Sequence, residues 1–185
     1  MRVQLTTSKP LKSAREVALN SLSRRALTHY ELETRLKQKG YEDDEIHEVL
    51  EKMQKLGYLN DQELALTVSQ SRLKRYSRRR VLQDLQTRGL GPQVVEQALE
   101  STYSSADEFQ QCLILAKRWW DQEGKRWDQK IQDKRKKSLP RELSLQQKIA
   151  RKLIQRGYPS DMVRNVLDQI QSIDNGDDVT SEPNE

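Results

Sequence analysis

ELETRLKQKGYEDDEIHEVL (31–50), RVLQDLQTRGLGPQVVEQAL (80–99) and KIARKLIQRGYPSDMVRNVL (148–167) are three copies of one pattern. Counted from the shared glycine (Gly40, Gly89, Gly157), apolar residues stand eight before it (Leu32, Val81, Ile149) and four before it (Leu36, Leu85, Leu153). They recur six after it (Ile46, Val95, Val163) and ten after it (Leu50, Leu99, Leu167). Apolar residues four apart share one helix face, and glycine tolerates the left-handed conformation that closes a helix. Each copy therefore reads as helix, glycine stop, short turn, helix. The glycines lie 49 and then 68 residues apart, so the second interval carries about one extra helix's worth of chain. Repeats of this size stack as arrays. The fold class predicted is all-α: three tandem three-helix repeats of helix-turn-helix-like units.

Polar caps mark the helix starts around these copies. In a capping box a polar side chain accepts from free backbone N–H groups while an acid or amide three residues on reaches back. Ser13/Glu16, Thr28/Glu31, Asn60/Glu63, Ser105/Glu108 and Ser144/Gln147 have that spacing. The first repeat is then 13–59, with helices near 14–25, 29–39 and 43–56 that bury Val17, Ala18, Leu22, Leu32, Leu36, Ile46, Val49, Leu50 and Met53. GYLND (57–61) is a tight stop and restart into a second repeat, 60–103. Its helices near 61–75, 78–88 and 92–101 bury Leu64, Ala65, Val68, Leu82, Leu85, Val95, Ala98 and Leu99, with Pro92 suited to a first helical turn. The third repeat, 104–172, opens with a long helix from about 106 that runs into a charged, basic insertion, 121–142. Gly124 weakens helix continuity there, and Pro140 ends the insertion before helices near 145–156 and 160–171. The insertion is either an extended solvated helix or a helix followed by a basic loop. Residues 1–12 and the acidic tail, 173–185, lack periodicity and read as disordered.

Of 185 residues, 34% are hydrophobic and 33% charged, a balance that suits small units leaning on one another better than a single large core. No apolar run reaches membrane-spanning length and MRVQLTTSKP lacks the apolar core of a signal peptide, so a soluble cytoplasmic protein is expected. The lone Cys112, among Leu113, Ile114, Leu115 and Ala116, reads as a small buried hydrophobe. The acids Glu42, Asp43, Asp44, Glu45, Glu48 and Glu51 begin a helix, where carboxylates favour its positive end. His29 and His47 stand alone. The sequence has no glycine-rich phosphate loop, no nucleophile beside a base and no converging ligand set, so no catalytic residue, metal or cofactor is expected.

Charge is unevenly placed. Beyond Arg164 there are six acids and no Lys or Arg, so residues 1–164 carry 33 basic residues against 22 acidic ones, a net +11. The densest run is RLKRYSRRR, with Arg72, Lys74, Arg75, Arg78, Arg79 and Arg80 at the end of one helix and the start of the next. Guanidinium forks pair with phosphate or carboxylate, and six cations within nine residues repel one another unless an anion is near. Tyr76 within it either stacks on a base or packs between repeats. Arg88, just before the second repeat glycine, extends the set. A second cluster is Lys125, Arg126, Lys130, Lys134, Arg135, Lys136, Lys137 and Arg141, interleaved with acids. Trp119 and Trp120 read as core anchors of the third repeat. Trp127, in a polar context, reads as a contact residue.

GYLNDQELA (57–65), the arginine-rich stretch after it and the helix-glycine-helix unit that follows resemble the RecX family, regulators of the bacterial recombinase RecA. RRALTHYELETRLKQKGY (24–41) is similar to that family's opening signature, and the resemblance spans about 14–168. ELALTVS stands in place of the family's aromatic-Ala pattern, and LIQRGY where the family often has a Phe-Leu pair. The resemblance implies an elongated, curved, all-helical, monomeric protein. It further implies that the protein binds RecA and the RecA–single-stranded-DNA filament and inhibits strand exchange and ATP hydrolysis in DNA repair and the SOS response; the basic face would meet acidic RecA surfaces, single- or double-stranded DNA phosphates, or both. The alternative is an independent DNA-binding protein of helix-turn-helix type, whose second helices would offer Gln93, Glu96 and Gln97, or Arg164 and Asn165.

Overall fold

The computed structural model describes residues 12–102, 104–130 and 140–174, and all regular structure among them is helical. The elements are α1 (Ala14–Leu22), α2 (His29–Gln38), α3 (Asp43–Lys55), α4 (Asp61–Arg72), α5 (Arg78–Thr87), α6 (Pro92–Thr102), α7 (Ser105–Lys130), α8 (Arg141–Gln155) and α9 (Ser160–Asp174). No described helix is long and apolar enough to cross a membrane. Lys134, Arg135, Lys136 and Lys137, the stretch 1–11 and the acidic tail from 175 on lie outside the described residues.

Ser13 and Thr28 form complete capping boxes with Glu16 and Glu31. At α4, the Glu63 N–H donates to Asn60 Oδ1 at 3.0 Å, while the Asn60 amide turns to the Glu63 carboxylate. Two starts differ from expectation. At α7 the box is Ser104 with Asp107, one residue early, through Asp107 N–H to Ser104 Oγ at 3.3 Å and Ser104 N–H to Asp107 Oδ2 at 3.0 Å. Glu108 instead accepts from the backbone N–H of Arg78 at 2.9 Å. At α8 Pro140 is the N-cap and the helix opens a turn earlier than expected, with Glu142 in its first turn and Ser144 in its interior. Helix α4 stops at Arg72, short of the expected 75.

The stops follow one rule. Gly40, Gly57, Gly89 and Gly157 have φ of 81°, 75°, 80° and 89°. After each, the next residue's N–H folds back on the carbonyl five positions earlier: Tyr41 to Leu36, Tyr58 to Met53, Leu90 to Leu85 and Tyr158 to Leu153. This is the glycine-closed Schellman stop, in which the residue after the glycine packs against the helix it ends. Tyr41, Leu90 and Tyr158 are accordingly buried, and Tyr58 is exposed while Leu59 takes the buried place.

The described residues fall into two compact units, one drawn from Met1–Ser71 and Leu82–Thr102, the other from Arg72–Val81 and Tyr103–Glu185. The core of the first gathers α1, α2 and α3 around Leu32, Leu36, Ile46, Leu50 and Met53. In the second, α7, α8 and α9 close around Ala116, Trp120, Leu145, Ile149, Leu153 and Val166. Leu22, Val68 and Leu82, expected in the core, are half-buried. On α5 the fully buried pair is Val81 and Leu85, four apart on one face, and Leu82 is rotated about 100° from Val81. Helix α7 continues through Gly124. A Cβ there would lie 3.0 Å from Arg141 Nη2, so the missing side chain gives room to a guanidinium that grips Asp128 with Nε–Oδ1 3.1 Å and Nη2–Oδ2 3.4 Å.

Candidate anion-contact surface

In the second unit, the run 72–80 leaves α4, turns, and enters α5. Buried Ser77 fixes the entry: its Oγ accepts from the Arg80 N–H at 3.1 Å, and its own N–H donates to the carbonyl of Arg156 at 3.0 Å. The Glu108 carboxylate caps the neighbouring N–H of Arg78. These three backbone donors are satisfied, while the side chains of Arg72, Lys74, Arg75, Arg79 and Arg80 lie at the surface and Arg78 is half-buried. Tyr76 is packed and not open for stacking. Its ring lies under two guanidinium groups, Arg156 at 4.8 Å and Arg72 at 5.6 Å.

Of the second cluster, Lys125, Arg126 and Lys130 lie on the last turns of α7 and Arg141 opens α8. Lys125 and Arg126 are exposed, Trp127 is half-buried, and Lys130 is the final helical residue. Trp127 is taken up within the unit, with Lys148 Nζ 5.8 Å from its ring centre. Trp120 is buried in the core as expected; Trp119 is only partly buried. Its ring faces Lys152 Nζ at 5.6 Å and the Arg156 guanidinium at 5.5 Å.

Between the two tryptophans, one turn from each, stands Glu123. Its carboxylate is buried and meets Lys152 Nζ at 2.7 Å, Arg126 Nη1 at 3.0 Å and Lys148 Nζ at 3.7 Å. The hydrogen bond from Lys152, reinforced by the charges of Lys152, Arg126 and Lys148, holds its pKa below the ordinary 4.5 against the opposing effect of burial. Trp119, Glu123 and Trp127 on α7 thus face Lys148 and Lys152 on α8 and Arg156 at its C-cap, each set spaced by four along the chain. Residues four apart lie on one helix face, so the two rows run along a single seam.

Arg88 belongs to the other unit and is committed there. Its Nε and Nη2 bind Glu31 Oε1 and Oε2 at 3.0 and 2.9 Å, and Nη2 also reaches the Ala26 carbonyl at 3.1 Å. Burial alone would raise the pKa of Glu31. The Arg88 hydrogen bond, the Thr28 N–H and the charges of Arg88 and Arg25 outweigh that and lower it. Burial, with the nearby Glu108, pushes the Cys112 thiol up to about 12, which keeps it un-ionised. Among the described residues no group of three or more His, Cys, Asp or Glu is placed to hold a metal ion.

Lys148, Lys152, Arg156 and Glu123 were not singled out by the sequence reading, although a signal for three of them was present. Nine, five and one positions before the repeat glycines stand Glu31, Arg35 and Lys39, then Arg80, Asp84 and Arg88, then Lys148, Lys152 and Arg156. Only the third row is wholly cationic, and its counter-charge comes from another helix.

Residues 14–53 match the model of the first three-helix domain of RecX, and residues 60–99 that of the second. The chain belongs to the RecX family. The regulatory protein RecX of Deinococcus radiodurans is 33% identical over 102 residues, which make up 55% of this chain and 49% of that relative. The chain thus spans about half the length of that relative. The RecX of Trichlorobacter lovleyi is 27% identical over 154 residues, 82% of this chain and 92% of its own. A crystal structure of RecX from Lactobacillus salivarius superposes with a TM-score of 0.62 at 21% identity, covering 85% of this chain and 94% of that one, and it shares the fold.

Proposed function

We propose that the chain is a cytoplasmic regulator of the recombinase RecA, acting as a monomer that binds RecA and its single-stranded-DNA filament and lowers strand exchange and ATP hydrolysis in DNA repair and the SOS response. Membership of a family of regulatory proteins supports this reading. The observation that carries it is the exposed run of Lys74, Arg75 and Arg79, presented on a backbone whose own donors are capped. Guanidinium forks on a fixed backbone pair with carboxylates of a protein partner or phosphates of its DNA without further ordering of the backbone that carries them. Three tandem repeats, 13–59, 60–103 and 104–172, would let one chain touch several filament subunits, so that few molecules suffice.

The test is ATP hydrolysis by the cognate RecA on single-stranded DNA, titrated with this protein at substoichiometric ratios and at two salt concentrations. Inhibition at few molecules per filament is the expected outcome, and Arg75→Glu with Arg79→Glu should relieve it. Inhibition that requires enough protein to coat the DNA and vanishes with salt would replace this reading with that of an independent helix-turn-helix-type DNA-binding protein.

A further inference from the structure

We propose that the α7–α8 seam is a binding strip for a nucleic-acid backbone, formed by Arg126, Lys148 and Lys152, with Glu123 as its built-in counterion. The inference rests on the DNA-facing half of the function proposed above and locates it on residues that lie outside the arginine-rich run.

Three features of the seam carry it. The first is the disposition of charge. The cationic groups lie within 4 Å of one carboxylate, at 2.7, 3.0 and 3.7 Å, so the site holds an excess of two positive charges around a single anion. The second is access. The Glu123 side chain is 9% exposed, whereas Arg126, Lys148 and Lys152 are 65%, 45% and 37% exposed, so the anion lies beneath and the cations face water. An ammonium has three donors, and Glu123 occupies only part of that capacity. The third is restraint. Lys148 and Lys152 are each held from a second side, over Trp127 at 5.8 Å and Trp119 at 5.6 Å. Long cationic side chains that are already ordered lose less freedom when an anion arrives.

Spacing selects the ligand. Lys148, Lys152 and Arg156 recur every fourth residue, a step of about 6 Å along the helix axis. Arg156 then leads over Tyr76 to Arg72, which continues the line of positive charge within the same unit. A sugar-phosphate backbone is a line of evenly spaced anions, which a row of cations at a fixed step can follow. The aromatic faces are occupied by the protein's own cations, so the strip reads phosphates and not bases. Glu123 is an internal competitor. A phosphate that takes donors from Lys152 and Lys148 draws on groups the carboxylate already neutralises.

The experiment is direct binding of fluorescein-labelled oligo(dT) to the full chain by anisotropy, without RecA, between about 50 and 200 mM salt. Folding of each variant is checked by circular dichroism, and RecA ATP hydrolysis is followed in parallel. Lys148→Gln with Lys152→Gln should weaken binding about tenfold at low salt and lower the salt slope by about 1.4, since each phosphate contact on a single strand contributes about 0.7. Lys148→Arg with Lys152→Arg should retain binding. Glu123→Gln should tighten binding about threefold, beyond whatever Asp121→Asn, an exposed acid on the same helix, produces. Unchanged oligo(dT) affinity in the folded double glutamine variant would overturn the strip. Equal gains from Glu123→Gln and Asp121→Asn would overturn the counterion role. If the double variant kept oligo(dT) binding and lost RecA inhibition, the seam would belong to an acidic protein surface and the nucleic-acid assignment would fall. Loss of oligo(dT) binding with RecA inhibition intact would uphold the strip and separate it from the regulatory function.

Discussion

Two joints, one in each compact unit, are built from equivalent positions of the repeat but close in different ways. In the first unit, Thr28 Oγ1 caps α2 and also donates to the Arg88 carbonyl at 2.7 Å; the Arg88 side chain reaches back to the Ala26 carbonyl. In the second, Ser77 caps α5 with its hydroxyl but reaches the Arg156 carbonyl through its backbone N–H, and Arg156 returns to the Arg75 carbonyl at 3.0 Å. The cap stands twelve residues before its own repeat glycine in both cases, and the arginine one residue before the next. One hydroxyl does two jobs in the first joint; in the second the jobs are divided between side chain and backbone. A repeat can therefore keep its packing rule while the atoms that enforce it change.

The glycines offer the strongest way to break the parallel. A Cβ on Gly157 would fall 2.5 Å from Ser77 Oγ and 2.8 Å from Arg80 Cβ, and one on Gly89 would fall 2.3–2.5 Å from Tyr30, whereas nothing lies within 4 Å at Gly40. All three have positive φ, so Ala at Gly40 should cost about 1 kcal/mol from backbone conformation alone. Ala at Gly89 or Gly157 should cost about 3 kcal/mol, since overpacking adds to that. Urea denaturation of the three variants measures this, and equal losses would mean that the joints do not press on the glycines.

The hydroxyls give the next effect. Thr28→Ala removes a cap and a second hydrogen bond and should cost about 2 kcal/mol, while Ser77→Ala leaves the backbone bond and should cost about 1 kcal/mol. Thr28→Ser should restore most of the loss. A reversed order in thermal melts would contradict the division of labour described above.

The smallest effect expected is in acid. Glu31 and Glu123 are both held below 4.5. A carboxylate with a lowered folded-state pKa contributes stability that is complete above the unfolded value and lost as pH falls through the folded one. Stability should thus be level above about pH 5 and decline below it, with Glu31→Gln and Glu123→Gln each flattening that decline. A pH titration of the melting temperature decides it, and unchanged profiles would remove both ion pairs from the account.

The helices, the glycine stops and most buried positions were legible because periodicity and left-handed glycine are local properties written in neighbouring residues. Leu82 was misplaced because one position along a helix rotates the side chain by about 100°, and two adjacent apolar residues leave the face undecided. The start of α8 was misread because Ser144 with Gln147 has capping spacing, yet Pro140 had already set the entry. The candidate surface was only half legible. The arginine-rich run stands out in composition, whereas Glu123 acquires its partners through packing of α7 on α8, across a distance in sequence that no local pattern encodes.

The third repeat carries Leu145 where the first two carry Thr28 and Ser77. It is fully buried inside α8 and has no hydroxyl to offer. The leucine that completes the core of the third repeat thus also removes the side-chain cap that the first two repeats place at this position.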